Sequence, residues 1–328
     1  SRKYFRVVQE DKSFVLMFWE PFPESMDQYP LLSVLNHFEK HKIQTPKIIA
    51  KSPKEGLLLQ EDLGDLTLER KFWENQTQES ALPFYKLAID ELVKIHYKAS
   101  LDRTNCLAFG VAFDSEKLLW ELNYAKKYLL EGLCQINLNA SELSALDEDF
   151  KTICNLLDKE ERFICHRDYH SRNLMIKLGK MRVIDFQDAR MGPVQYDLVS
   201  LLKDSYVDLN PTLAQELLKY YLDERARFYK PIADLKHFEH IYDVQSVQRC
   251  FKACGSFASF FVMRKDTRYL KYLPQTLQRV RDSMDKLGVF QNFSEILFDH
   301  KVFETDYLKN INHHECNIRI FTLPVFLR

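Results

Sequence analysis

The stretch Cys165-His166-Arg167-Asp168-Tyr169-His170-Ser171-Arg172-Asn173 is followed, twelve residues after Asn173, by Asp185-Phe186. Its spacing reads H-x-D-x4-N and then Asp-Phe. Phe163-Ile164-Cys165 ahead of it is strand-like. Behind it, Leu174-Met175-Ile176 and Met181-Arg182-Val183-Ile184 pattern as a hairpin around Gly179. A short loop between strands therefore carries one carboxylate, ends on an amide and faces a second carboxylate on the next hairpin. Phosphoryl transfer from ATP asks for that set and little else: a carboxylate facing the acceptor hydroxyl, and oxygen ligands holding Mg²⁺ on the phosphates. Asp168 is the candidate base. Asn173, through its carbonyl oxygen, and Asp185 are the candidate ligands for a hard cation. Taken singly, each acid is as well explained as a polar turn or a strand cap. The joint spacing favours phosphoryl transfer.

Working outward, the first 65 residues pattern as a small sheet lobe. Tyr4-Phe5-Arg6-Val7-Val8 and Phe14-Val15-Leu16-Met17-Phe18-Trp19 are β-rich runs joined by Glu10-Asp11-Lys12-Ser13. Leu31, Leu32, Val34, Leu35 and Phe38 recur with helical period after Pro30. Lys47 to Ala50 and Gly56 to Glu61 read as further strands, the second leading into the turn-like Asp62-Leu63-Gly64-Asp65. From Leu66 the pattern is mainly helical, with Phe84, Ala88, Leu92, Ile95 and Ala99 on one face. Further helices are expected at 115–131, 212–228, 240–263 and 274–286. The expected fold class is α+β: a small antiparallel β-sheet lobe over 1–65 and a larger, mainly helical lobe over 66–328. The run from Ile318 to Leu327 is open between a terminal strand, a docked tail and vector-derived sequence.

The chain has 328 residues, 46% hydrophobic and 28% charged, with formal net charge −1. That is ordinary for a folded soluble protein, and no global field favours nucleic acid or an anionic membrane. No apolar run reaches the 18 residues or so that a membrane span needs. The chain opens on Ser1-Arg2-Lys3-Tyr4 with no apolar leader, and a cytoplasmic location is expected. Seven cysteines lack framework spacing, and buried free thiols are preferred to a zinc site. The eight glycines form neither a Walker-type nor a dinucleotide fingerprint.

His166-Arg167-Asp168-Tyr169-His170-Ser171-Arg172-Asn173-Leu174, with Val183-Ile184-Asp185-Phe186-Gln187-Asp188-Ala189, resembles the aminoglycoside phosphotransferase and choline kinase family, within the protein-kinase-like fold. The continuation Gly192 to Asp204 is most similar to the bacterial sugar kinases that act on the anomeric hydroxyl of N-acetylmuramate and N-acetylglucosamine. Weaker similarity runs through Leu57 to Asp65, Phe113-Asp114, Glu121-Leu122, Gln248 to Phe257 and Tyr269-Leu270. The resemblance implies an enzyme using ATP and Mg²⁺ on a small-molecule sugar, in cell-wall recycling. It also implies Asp168 as base, Asn173 and Asp185 as metal ligands, and Gln60, Glu61, Asp62 and Leu63 as the hinge that meets adenine. Asp188 lies near the acceptor pocket or makes a structural hydrogen bond. Asp197 braces the loop, and His166 packs beneath it.

The small lobe departs from the usual kinase pattern. The strand position that normally carries a phosphate-binding Lys holds apolar residues such as Met17, and no Gly-rich loop precedes it. The lobe is expected to lack its first strand, and Arg2, Lys3 and Arg6 are the candidates to supply the missing charge. His96 reads as a capped core residue. Phe257, Phe260 and Phe261, beside Arg264 and Tyr269, read as core in preference to an acceptor-pocket floor. Two rivals to the sugar kinase follow: an aminoglycoside or choline phosphotransferase, and a nucleotide-binding pseudokinase with a regulatory role.

Overall fold

The computed structural model describes residues 2–25, 28–75 and 77–309. The tail from 310 onward, with Cys316 and the run Ile318 to Leu327, lies outside the described residues. The chain begins with a hairpin of β1 (Lys3–Gln9) and β2 (Lys12–Phe18). Its turn is only Glu10-Asp11, shorter than expected, because Lys12 and Ser13 already pair with Gln9 and Val8. α1 (Pro30–Lys40) starts on a proline, whose missing N–H is no loss in a first helical turn. It buries Leu32, Val34, Leu35 and Phe38. β3 (Ile48–Ser52) and β4 (Leu57–Glu61) complete a four-stranded antiparallel sheet in the order β1-β2-β4-β3. β1 is an edge strand, exposed along its whole length.

The rest is largely helical: α2 (Leu68–Glu74), α3 (Leu82–Val93), α4 (Ser115–Ala125) and α5 (Ala140–Asp158) precede the short β5 (Phe163–Cys165). The hairpin of β6 (Leu174–Lys177) and β7 (Lys180–Val183) follows, then β8 (Arg190–Gly192), which pairs with β5. α6 (Gln195–Leu202), α7 (Pro211–Arg225), α8 (Leu235–Arg264), α9 (Leu273–Leu287) and α10 (Gln291–Asp299) close the fold. A small sheet followed by a helical remainder is the expected α+β arrangement. The periodicity reading named no helix at 140–158, although Asn139 and Glu142 form a reciprocal capping box at its start. α3 and α4 each run on through a wider turn, over Lys94–Ala99 and Lys126–Leu133. Among the described residues no helix is long and apolar enough to cross a membrane. The described cysteines are free thiols, buried except for half-buried Cys134.

Two features set the site. The sheet and the helical part are tied at the β4 exit, where Lys177 Nζ of β6 donates to Glu61 Oε1 (2.9 Å) and to the Asp62 carbonyl (2.7 Å). The segment after α1 adds Val183 N donating to Gln44 O (2.7 Å) and Gln44 N donating to Glu91 Oε2 (2.9 Å). Beneath, the thirty-residue α8 runs buried through the helical part and crosses α4 at Gly255. A Cβ there would stand 2.3 Å from Ala125 Cα.

That crossing admits no side chain without separating the helices. Gly255→Val should cost about 1–3 kcal/mol or more through overpacking, read as a lower Tm in a thermal melt. A melt superimposable on the parent's would mean the helices are not held this close.

Candidate active site

The loop between β5 and β6 is shaped by one buried carboxylate. Asp197, in the first turn of α6, accepts from His166 N at 2.6 Å and from Arg167 N at 2.9 Å. Its Oδ2 also meets His96 Nε2 at 3.2 Å, and the other ring nitrogen of His96 meets the Tyr221 hydroxyl at 2.8 Å. Asp197 and His96 are fully buried, so His96 is the capped core residue and Asp197 the brace of the loop. Two N–H groups on one carboxylate force a tight turn, and Arg167 adopts φ 85°, a left-handed conformation a non-glycine residue rarely takes. Further along, Asp204 accepts from Ser171 N (2.7 Å) and Tyr206 N (2.9 Å). Arg172 forks onto Glu69 with two contacts of 2.8 Å and lies 3.7 Å above the Tyr206 ring. His166 Nε2 lies 2.9 Å from Ile184 O, which ties the loop to the segment carrying Asp185.

The loop brings the three sequence-selected groups together. Asn173 Nδ2 donates to the Asp168 carbonyl at 3.0 Å and lies 3.5 Å from Asp185 Oδ2. With its N–H₂ turned that way, its carbonyl oxygen is left for a cation. Asp185 sits at φ 65°, exposed, with Oδ1 accepting from Gln187 Nε2 at 2.8 Å. One carboxylate and one amide oxygen fit a hard divalent ion such as Mg²⁺. A cavity of about 270 Å³ opens between these groups and the large helices. Its lining includes Asp168, Asn173 and Asp185 on one side and Arg249, Lys252, Phe257 and Phe260 on the other.

The Asp168 carboxylate is 29% exposed, with Arg249 Nη2 and Lys252 Nζ each 3.8 Å from Oδ1 and Arg167 Nε 4.0 Å from Oδ2. Burial works to raise its pKa, but Lys252, Arg249 and Arg167 outweigh it and hold the carboxyl well below its usual range. Lys252 is shifted down from the ordinary lysine value by burial, against the opposing pull of Asp168.

The other selected residues are distributed unevenly. Gln60 and Glu61 end β4, and Asp62 and Leu63 follow at the junction. The Arg6 guanidinium donates to Asp62 (2.7 Å) and Asp65 (2.8 Å), which places it at the junction. Lys3 is exposed at the start of β1. Arg2 lies over the Trp19 ring, 5.7 Å from its centroid, beside the Tyr4 and Tyr29 hydroxyls. Asp188 is exposed and pairs with Arg167 Nη1 at 3.4 Å. Phe257 and Phe260 line the cavity as well as packing with Tyr269; Phe257 is also a core residue, whereas Phe260 is half-buried. Phe261 is absent from that lining and sits under Lys265. Sequence reasoning passed over Arg249, Lys252, Lys177 and Asp204. A signal for the first two was present: charges three apart inside the apolar run Cys250-Phe251-Ala253-Cys254 have no place on a buried helix without a task.

The profile of the phosphotransferase enzyme family matches residues 1–230. The chain is 28% identical to an N-acetylmuramate/N-acetylglucosamine kinase of Neisseria meningitidis serogroup B, over 85% of this chain and 81% of that one. It is 27% identical to the kinase of the same name from Pseudomonas aeruginosa, over 90% and 84%. Among solved structures, choline kinase LicA from Streptococcus pneumoniae superposes with TM-score 0.55 at 13% identity, covering 87% of this chain and 89% of that chain. Spectinomycin phosphotransferase APH(9)-Ia does so with TM-score 0.58 at 14% identity, covering 86% and 90%. The fold is therefore the one these kinases share.

Asp197→Ala should release both loop amides. Each buried N–H left without an acceptor costs about 1–3 kcal/mol, and hydrogen exchange at His166 and Arg167 should accelerate sharply. Unchanged protection at those amides would mean that other contacts hold the loop.

Proposed function

We propose, since this chain belongs to the phosphotransferase enzyme family, that it is a cytoplasmic, ATP- and Mg²⁺-dependent sugar kinase. Its acceptor on this reading is the anomeric hydroxyl of an amino sugar such as N-acetylmuramate or N-acetylglucosamine, in cell-wall recycling. The observation that carries the reading is the convergence of Asp168, Asn173 and Asp185 on one cavity floored by Phe257 and Phe260. The relatives named above supply the acceptor class. Residues 1–65 act as the nucleotide lobe, with adenine at Gln60 to Leu63, and the remainder carries the loop and acceptor site.

Asn173 and Asp185 would hold the Mg²⁺, which supplies charge neutralisation on the phosphates. Asp168 orients the acceptor hydroxyl. As the sugar oxygen bonds to the γ-phosphorus, the bond to the bridging oxygen breaks, ADP leaves, and the hydroxyl proton passes to the Asp168 carboxylate. Three neighbouring cations make that carboxylate a weak base, which suits an acceptor more acidic than an ordinary alcohol, and an anomeric hydroxyl is one. The relatives named above favour a sugar acceptor over the main rivals, an aminoglycoside polycation or a choline ammonium. The pseudokinase reading draws on the apolar strand position at Met17 and the absent Gly-rich loop, and an intact carboxylate–amide–carboxylate set opposes it.

Asp168→Asn should keep the fold and nucleotide binding while lowering turnover by about a hundredfold or more, the range for a positioned acid–base group. Near-parental turnover would remove Asp168 from the chemistry. Phosphorus NMR of the reaction with N-acetylmuramate or N-acetylglucosamine should give a sugar 1-phosphate. A phosphate at C6, or transfer only to aminoglycosides or choline, would overturn the acceptor and leave the kinase chemistry standing.

A further inference from the structure

Two cations beside Asp168 keep donors that nothing among the described residues uses. Lys252 Nζ stands 3.8 Å from Asp168 Oδ1, beyond hydrogen-bond distance, and makes no hydrogen bond among the described residues. Its side chain is 13% exposed, so the stem is buried while the ammonium faces the cavity with Asp168 as its nearest counterion. Arg249 donates from Nε to Ser200 Oγ at 2.9 Å and brings Nη2 only to 3.8 Å from the same Asp168 oxygen. Lys203, the third cation of the cavity, is already committed, donating to Ser283 Oγ at 2.8 Å with Asp243 at 3.8 Å. Of the nearby carboxylates, Asp204 is committed, while buried Glu121 uses Oε2 and keeps Oε1 without a hydrogen bond among the described residues. Asp204 holds two amides, and Glu121 Oε2 accepts from Gln248 Nε2 (3.0 Å) and Tyr196 OH (3.2 Å). The Lys252 ammonium, placed in the wall of an open cavity, fits an anion that arrives with the ligand.

We propose that Arg249 and Lys252 form a receptor for a carboxylate on the acceptor, so that the site prefers sugar acids to neutral sugars of the same ring. The inference rests on the sugar-kinase reading above and specifies its substrate class. Ser256 and Phe257 line the same cavity; Ser256, whose hydroxyl donates to Lys252 O (3.2 Å), offers an acceptor oxygen, and Phe257 an apolar face suited to a sugar ring. The transferring phosphoryl group is the other anion able to reach these cations, and the test separates the two.

The probe pair is N-acetylmuramate and its methyl ester, which share a ring and side arm and differ by one charge. The parent should bind the acid at least about tenfold more tightly than the ester by calorimetry in the presence of ADP, the effect of a paired, desolvated charge. The acid-to-ester ratio of kcat/KM should move the same way. Lys252→Met and Arg249→Met should each bring both ratios towards one, whereas Lys252→Arg, which keeps the charge, should retain the preference. Equal losses for acid and ester, leaving the ratios as in the parent, would assign the pair to the phosphoryl group or to holding Asp168, and would overturn the proposal. So would a parent that binds acid and ester alike. If the parent binds the acid selectively but phosphorylates neither compound, the sugar-kinase reading fails while the carboxylate receptor stands.

Discussion

One buried carboxylate sets the geometry on which the site depends. Asp197 gathers the amides of His166 and Arg167, and only with both N–H groups on its oxygens does the chain turn through φ 85° at Arg167. That turn puts Asp168 at the cavity instead of in the core. The carboxylate is fully buried, and its oxygens are filled by the loop and by His96. His96 is fixed in turn by Tyr221 on α7, and Tyr221 by Tyr97 at 2.9 Å. Helices remote from the cavity thus hold the loop through a chain of buried polar contacts, which is where such contacts give specificity of conformation more than net stability.

The charges around Asp168 divide into those that build and those that wait. Asp197, Asp204 and Glu69 have their oxygens on loop amides or on Arg172. Glu61 and Asp62 are likewise held by Lys177 and Arg6. Asp168 and Asp185 are the exceptions, since neither is engaged by a close cation. A carboxylate flanked by cations at nearly 4 Å stays ionised yet keeps its lone pairs open. That is the state needed to orient a hydroxyl.

The loop between β5 and β6 was legible in the sequence because its pattern is local: Asp168, Asn173 and Asp185 lie within eighteen residues, and flanking strands fix their relation. The small sheet was legible for a similar reason, hairpins being set by neighbouring residues, although the turn at Glu10-Asp11 proved tighter than its polar run suggested. Helix α5 was missed even though Asn139 and Glu142 cap it, because polar residues interrupt its apolar face. Arg6 was legible as a cation but not as a partner. Its acids lie 56 and 59 residues away, and only the folded sheet brings β1 over the junction. Arg249 and Lys252 failed to stand out for the same reason. A charge on a helix is unremarkable until packing buries the helix around it.

The pairing of Arg6 bears on phosphate binding. With Met17 buried in β2, Arg6 and Lys177 pair with the acids at the β4 exit, in a cleft that Lys12 also lines. On the proposed reading, triphosphate charge can also be met further along the sheet and from below. Arg2 stands at that far end beside Tyr4, whose hydroxyl also feels the charge of Asp185. An arginine over Trp19 and an ion held by Asn173 and Asp185 would face the phosphates from opposite sides. A fork of donors just ahead of the edge strand and a metal on the loop can together replace a lysine inside the sheet, because phosphoryl transfer needs charge at the right distance and is indifferent to which segment provides it.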